Sequence, residues 1–205
     1  MKHALCLLIA VFICLAPPAR ANVDDDIQYI VDSLFYSQGY AEETNHKSDQ
    51  IISRLSAALA KLGAEIRDET AFRDAILGPY EVSYRAQIMA ANAEAMRELL
   101  SEDEIAAIAD FLPTPDGQAF LTLSPQKPPS SGFLAKLRES PLKPFFEHKS
   151  EFDARTMSVR LSAKTQMREV LSMKRIANLI EEYDIVTFED ETKRSEVVKA
   201  LRNLE

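Results

Sequence analysis

Hydrophobic residues recur at helical spacing along most of this chain. The first such segment places its apolar residues at i, i+3, i+4, i+7 and i+8: Ile27, Ile30, Val31, Leu34 and Phe35. This spacing lines one face of a helix. Comparable apolar stripes follow throughout the chain, so we expect an all-α protein, either a helical array or a bundle with a long C-terminal helix.

Glycine and proline predict where the early helices end. We expect Gly39 to end the first helix and Gly63 to end the second, because glycine readily adopts the left-handed conformation that follows a helix. Gly78 and Pro79 should separate a short segment from a helix over about residues 80–100, since proline lacks the amide that a helix interior needs.

The segment from Ser101 to Gly117 contains the clearest local signals. Ser101 and Glu104 form the Ser-x-x-Glu pattern of a capping box, in which each side chain accepts a hydrogen bond from the other residue's amide. Thr114 and Pro115 then predict the start of another short helix. Gly117 in its first turn would permit a close approach of backbone, and together these features predict a tight helical corner.

A proline- and serine-rich segment, residues 124–132 (SPQKPPSSG), is the predicted linker. It separates an N-terminal helical region, residues 22–123, from a C-terminal helical region, residues 133–205. The C-terminal region has no breaker from about Pro144 to Tyr183, which predicts one long helix that braces two layers or pairs with another copy. Residues 185–188 resemble a strand but have no obvious partner.

The N-terminal 21 residues have the pattern of a secretory signal peptide. Lys2 precedes an uncharged run of thirteen residues, shorter than the roughly 20 needed to span a bilayer. Ala19-Arg20-Ala21 is a small-x-small cleavage pattern, so cleavage is predicted after Ala21. An uncleaved anchor is the alternative. The mature protein, from Asn22 onward, is then soluble and has no stable membrane insertion.

Charge and cysteine content narrow the classes of partner. The full chain has 24 basic and 32 acidic residues, and its net charge is −8. Removing residues 1–21 makes the net charge −10 and takes away both cysteines, Cys6 and Cys14. No disulfide can then form, and an acidic protein repels phosphate backbones. Nucleic acid is therefore not an expected partner.

The segment Leu100–Leu123 resembles the domain of unknown function 2059 family, whose members are exported helical proteins, mainly of Gram-negative bacteria. The matching positions are Glu104, Ile105, Phe111, Pro115 and Gly117. Thr114 stands where serine is usual, and the chain departs from the family pattern at Leu112, Pro113 and Ala119. The resemblance implies a periplasmic location and a helical fold. It implies no activity, because no nucleophile, base or metal ligand is among the matching residues.

Candidate chemistry is sparse in the mature sequence. His148, with Glu151 three residues later on the same helix face, makes at most a partial metal site, and His46 lies among other acids. A charged helix surface is the favoured interpretation of both histidines. No catalytic, cofactor-binding or metal residue is therefore assigned, and no cofactor is expected.

Two functions remain open from the sequence. The first is a non-enzymatic protein-interaction or envelope accessory role, in which helical faces bind another protein or a second copy. The alternative is a metal-dependent or novel hydrolytic enzyme with a carboxylate/histidine site centred on His148 and Glu151.

Overall fold

The computed structural model describes residues 22–123 and 129–203. The predicted signal peptide, residues 1–21, lies outside the described residues, as do residues 124–128 of the predicted linker. Within the described ranges, no helix is both long enough and apolar enough to cross a membrane.

The described residues form ten α-helices, which confirms the all-α prediction. The helices before the linker are α1 (Val23–Phe35), α2 (Gln38–Ala60), α3 (Glu69–Leu99), α4 (Glu102–Phe111) and α5 (Pro115–Leu121). The helices after it are α6 (Ser131–Arg138), α7 (Lys143–Glu147), α8 (Lys149–Val170), α9 (Met173–Glu182) and α10 (Arg194–Arg202). A short 3-10 helix, Glu191–Lys193, precedes α10.

Two three-residue strands pair antiparallel across the chain. Strand β1 (Ala64–Ile66) lies beside β2 (Val186–Phe188), and Glu65 is opposite Thr187. The strand-like segment near residue 186 therefore has a partner, which lies more than a hundred residues away. The partner strand β1 was not predicted from the sequence, because three residues cannot show a clear alternation of apolar and polar positions.

Gly63 leads into β1 with a positive φ of 71°, and α2 ends three residues before it, at Ala60. Gly39 does not end α1. That helix ends at Phe35, and the Ser37 hydroxyl accepts a hydrogen bond from the Tyr40 amide at 3.1 Å, which caps α2 one residue before it begins. Gly39 instead lies in the first turn of α2, where a Cβ would overlap the carbonyl oxygen of Leu123.

The expected break at Gly78 and Pro79 is absent from the described helix α3, which continues through both residues. An interior proline costs roughly 3 kcal/mol of helix stability. The preceding turn contains Ile76 and Leu77, which are fully buried. Packing of this apolar face outweighs the local preference, as is usual for helices in folded proteins.

The long helix expected over residues 144–183 is divided into α7, α8 and α9. The amide of His148 donates to the Pro144 carbonyl and ends α7. The Ser172 hydroxyl accepts from the Arg175 amide at 3.3 Å and starts α9. A serine at this position offers the backbone an alternative to the helical hydrogen bond, so α8 is limited to 22 residues.

The corner formed by α4 and α5, residues 101–117, has the predicted geometry. The Ser101 hydroxyl accepts from the Glu104 amide at 3.3 Å, and the Glu104 carboxylate accepts from the Ser101 amide at 2.8 Å. The Thr114 hydroxyl accepts from the Gly117 amide at 3.2 Å. A Cβ on Gly117 would overlap the backbone of Phe111 and Leu112. The capping box and the close approach at Gly117 are both confirmed.

Buried apolar residues form two clusters, and each draws from both sides of the linker. The α1 core contains Ile27, Ile30, Val31, Ala95, Met96, Leu100, Ile105, Ile108, Ala109, Leu112, Leu137, Leu142 and Phe152. The sheet core contains Ile52, Leu59, Ala64, Phe72, Ile76, Leu77, Ile176, Ala177, Leu179, Ile180, Val186, Phe188, Val197, Val198 and Leu201. The two helical regions therefore do not correspond to the two cores.

The long helices α3 and α8 pack against each other and connect the cores. Helix α3 contributes Phe72 to the sheet core and Met96 to the α1 core. Helix α8 contributes Phe152 to the α1 core, while its Met167 packs against the sheet core. The middle of both helices thus lies between the cores, where the candidate site is found.

Candidate functional site

A groove of about 810 Å³ lies where α2, α3 and α8 meet. Ile88 of α3 and Ala163 of α8 line it, and both are buried although neither belongs to either core. Phe35, Ile51 and Met167 add further apolar surface from the two cores. The groove therefore has an apolar floor at the junction of the two clusters, and its volume falls in the range of typical ligand sites.

Three tyrosines form one wall of the groove. Tyr80 and Tyr84 stand one helical turn apart on α3, and their rings stack in parallel with centroids 5.8 Å apart. The Arg85 guanidinium lies 5.7 Å from the centre of the Tyr40 ring and 5.2 Å from that of Tyr36, which is a cation–π arrangement. The Arg85 Nε is buried and has no hydrogen-bond partner among the described residues.

Burial is the main cause that raises the pKa of Tyr40 and of Tyr80 above the ordinary value of 10.0, and the neighbouring Tyr84 raises both further. A protonated phenol is a hydrogen-bond donor at physiological pH. This wall therefore presents ring surface together with hydroxyl donors.

A buried polar contact joins α2 and α3 within the groove. Ser48 is only 5% exposed, and its hydroxyl donates to the Glu81 Oε1 at 2.6 Å. Because a buried hydroxyl without a partner is costly, this bond fixes the two helices relative to each other. The same hydrogen bond engages one carboxylate oxygen of Glu81, which lines the groove.

A row of basic residues, Arg160, Lys164 and Arg168, forms the opposite wall. They occupy positions i, i+4 and i+8 of α8, so they share one helix face and follow each other at about 6 Å along the axis. Arg160 forms an ion pair with Asp153 at 3.3 Å. Lys164 and Arg168 have no ion-pair or hydrogen-bond partner in the part of the chain that the structure describes.

The groove is cationic although the protein is acidic. Its lining includes five basic residues and two acidic ones, whereas the whole chain has a net charge of −8. One of the acids, Glu43, is paired with Lys47 at 2.5 Å. The local potential in the groove is therefore opposite in sign to that of the protein as a whole, which favours an anionic occupant.

The histidines singled out by the sequence lie outside this groove. His148 is half-buried at the junction of α7 and α8, and Glu151 is exposed. A hydrogen bond from the Ser150 hydroxyl is the main cause that lowers the pKa of Glu151. His46 is exposed, with a ring nitrogen 2.9 Å from Gln50 Nε2. No group of three or more His, Cys, Asp or Glu residues among residues 22–123 and 129–203 could hold a metal ion.

The basic row and the tyrosine wall were not predicted from the sequence. The sequence does show a spacing of four residues between Arg160, Lys164 and Arg168, and between Tyr80 and Tyr84. Such spacing alone describes any solvated helix face. Only the packing of α2 and α3 beside α8 shows that these faces converge.

Comparison of the chain with protein-family models, with curated proteins and with solved structures found no match. The resemblance over Leu100–Leu123 therefore remains an interpretation of that segment alone.

Proposed function

We propose that this chain is an exported, non-enzymatic interaction protein that holds a segment of a polypeptide partner in the groove between α2, α3 and α8. The observation that carries the proposal is the groove itself, which combines an apolar floor, an aromatic wall and unpaired cations such as Lys164. Sites that recognise ligands commonly combine apolar surface with a few convergent polar groups.

The dimensions of the groove suit a short extended segment. Its α3 wall runs from Tyr80 to Asn92, which is about 18 Å at 1.5 Å per residue. An extended chain advances about 3.3 Å per residue, so about five residues would fill this length. Successive side chains of an extended peptide point to opposite sides, so one set would face the aromatic wall and the other the cationic wall.

Export to the periplasm is part of the proposal and rests on the signal-peptide pattern and on the family resemblance. Cleavage after Ala21 would leave Asn22, whose side chain accepts from the Asp24 amide at 3.4 Å and caps α1. Mass spectrometry of the protein purified from the periplasm should find Asn22 at the N-terminus. A product that retains Met1 in the membrane fraction would contradict this part.

Methyl NMR of the full chain, expressed with its own N-terminal segment, tests the binding role. The probe is a permanently unfolded polypeptide, reduced and carboxymethylated lactalbumin. We expect it to shift the methyl signals of Ile51 and Ile88, which line the groove, and to leave those of Ile27 and Ile105 in the α1 core unchanged. Unchanged groove signals at millimolar probe would refute the proposed function.

A further inference from the structure

We infer that the groove selects an extended acidic segment in which carboxylates alternate with apolar side chains. This inference rests on the proposed function and names the class of polypeptide that the groove would take. Its basis is the basic row of α8 facing the aromatic wall of α3.

The spacing of the basic row matches that of an extended peptide. Residues four apart on a helix are separated by about 6 Å along its axis. Alternate residues of a strand, which share one side, are separated by about 6.6 Å. Arg160, Lys164 and Arg168 can therefore each face a carboxylate at every second position of a strand that runs along α8.

A bound acidic segment would also reduce the repulsion between the like charges of the basic row. Like charges four apart on a helix repel each other weakly. Arg160 has Asp153 as a partner, but Lys164 and Arg168 have none within the described residues. Carboxylates of a bound segment would neutralise this repulsion and provide the missing partners.

The opposite wall suits the intervening side chains. Those residues would point away from α8, towards Tyr80, Tyr84 and Ile88. Burial of apolar side chains of the segment against this aromatic and apolar surface would favour binding. The tyrosine hydroxyls can donate to the carbonyl oxygens of the same segment.

Two other anions fit the groove less well. An organic acid with a single carboxylate reaches one or two of three cations that span about 12 Å. A single-stranded nucleic acid has phosphates along its whole length, and the acidic surface beyond the groove repels it. Both are therefore included as competitors in the test.

The test measures binding of fluorescent peptides to the full chain by anisotropy. One peptide of about seven residues alternates Glu with Val or Phe. A second has the same composition with its glutamates grouped together, and a third replaces each Glu by Lys. We expect the alternating acidic peptide to bind about fivefold or more tightly than its grouped isomer, the Lys peptide not to bind, and the affinity to fall with added salt. Oligothymidine and decanoate should bind more weakly.

A pair of charge-matched variants assigns the effect to the groove. Lys164→Gln combined with Arg168→Gln removes two groove cations. Arg54→Gln combined with Lys174→Gln removes two exposed cations that lie outside it and have no ion-pair partner in the described part of the chain. We expect the groove variant to lose about tenfold in affinity for the alternating peptide, in line with two ion pairs near the upper end of exposed values. The control should change less than about twofold.

The outcomes separate the inference from the proposed function. Equal binding of the grouped isomer, equal losses in the two variants, or tighter binding of oligothymidine or decanoate would each overturn the inference. If unfolded lactalbumin still shifts the Ile51 and Ile88 methyls, the polypeptide-binding role stands without the acidic preference. If no polypeptide shifts them, both fail.

Discussion

The α4–α5 corner and the groove use polar residues in opposite ways. In the corner, Ser101, Glu104 and Thr114 each bond to a group no more than three residues away. In the groove, the polar residues come from α2, α3 and α8, and two of its cations have no partner among the described residues. The corner satisfies its own hydrogen bonds, whereas the groove leaves charge available.

This difference indicates that the polar residues of the corner serve stability, whereas those of the groove serve binding. Satisfied caps and a close backbone contact lower the free energy of the folded state. Unpaired like charges raise it slightly, and such local departures from consistency commonly mark functional sites. We therefore expect substitutions in the corner to change stability, and substitutions in the groove to change affinity.

The largest effect should come from Gly117→Ala. A Cβ at this position would overlap the Phe111 and Leu112 backbone, which cannot move away as a flexible side chain could. We expect a loss of about 3 kcal/mol in the free energy of unfolding, measured by urea denaturation. Gly132→Ala is the matched control, because nothing lies within 4 Å of a Cβ built there. If both variants are equally stable, the corner is not the rigid element described above.

Ser101→Ala should have a smaller effect. It removes the hydroxyl that caps α4 while leaving the Glu104 carboxylate bonded to the residue 101 amide. The expected loss is about 1 kcal/mol in the same denaturation experiment. Ser101→Thr, which retains a hydroxyl that can accept from the Glu104 amide and donate to the Glu104 carboxylate, should recover most of it. Failure of threonine to rescue would indicate that the hydroxyl acts in some other way.

The capping box should also make stability depend on pH. Hydrogen bonds from the Ser101 amide and hydroxyl hold the pKa of Glu104 below its ordinary value of 4.5. A carboxyl with a depressed pKa stabilises the fold above pH 4.5, and this contribution is lost as the pH falls through the folded-state pKa. The stability difference between the native chain and Glu104→Gln should therefore shrink on acidification below pH 4.5. A difference that stays constant with pH would contradict this assignment.

The smallest effect on stability is expected in the groove. Lys164→Gln with Arg168→Gln removes like-charge repulsion along α8, but it also removes the favourable interaction of Arg168 with the C-terminal turn of that helix. We therefore expect the free energy of unfolding to change by less than about 0.5 kcal/mol in thermal unfolding at low salt, and added salt to reduce the change because it screens both effects. A loss of more than about 1 kcal/mol would show that these cations stabilise the fold. It would contradict the expectation that only substitutions in the corner change stability.

The corner could be predicted from the sequence because the capping interactions that define it are local. The Ser101–Glu104 pair, the Thr114–Pro115 start and Gly117 are within a few residues of their partners, and each has a known backbone consequence. The helical class was predictable for a related reason, since apolar spacing is a property of single segments.

The groove and the sheet could not be predicted because they depend on distant segments. Tyr40, Tyr80 and Lys164 come together only through the packing of three helices, and Glu65 pairs with Thr187 across most of the chain. Local rules were also overridden at Pro79, where burial of the adjacent turn keeps α3 continuous. Non-local packing can outweigh any single-residue preference.

The interleaving of the two cores has a consequence for how the chain matures. The α1 core includes Phe152, and the sheet core includes Leu201, so neither cluster is complete in a chain that has emerged only as far as the linker. Synthesis proceeds from the N-terminus, so we expect the final packing of both cores to form only after the helices beyond the linker have been made. An incompletely packed chain would suit the export proposed above, because a secretion pore admits an unfolded polypeptide.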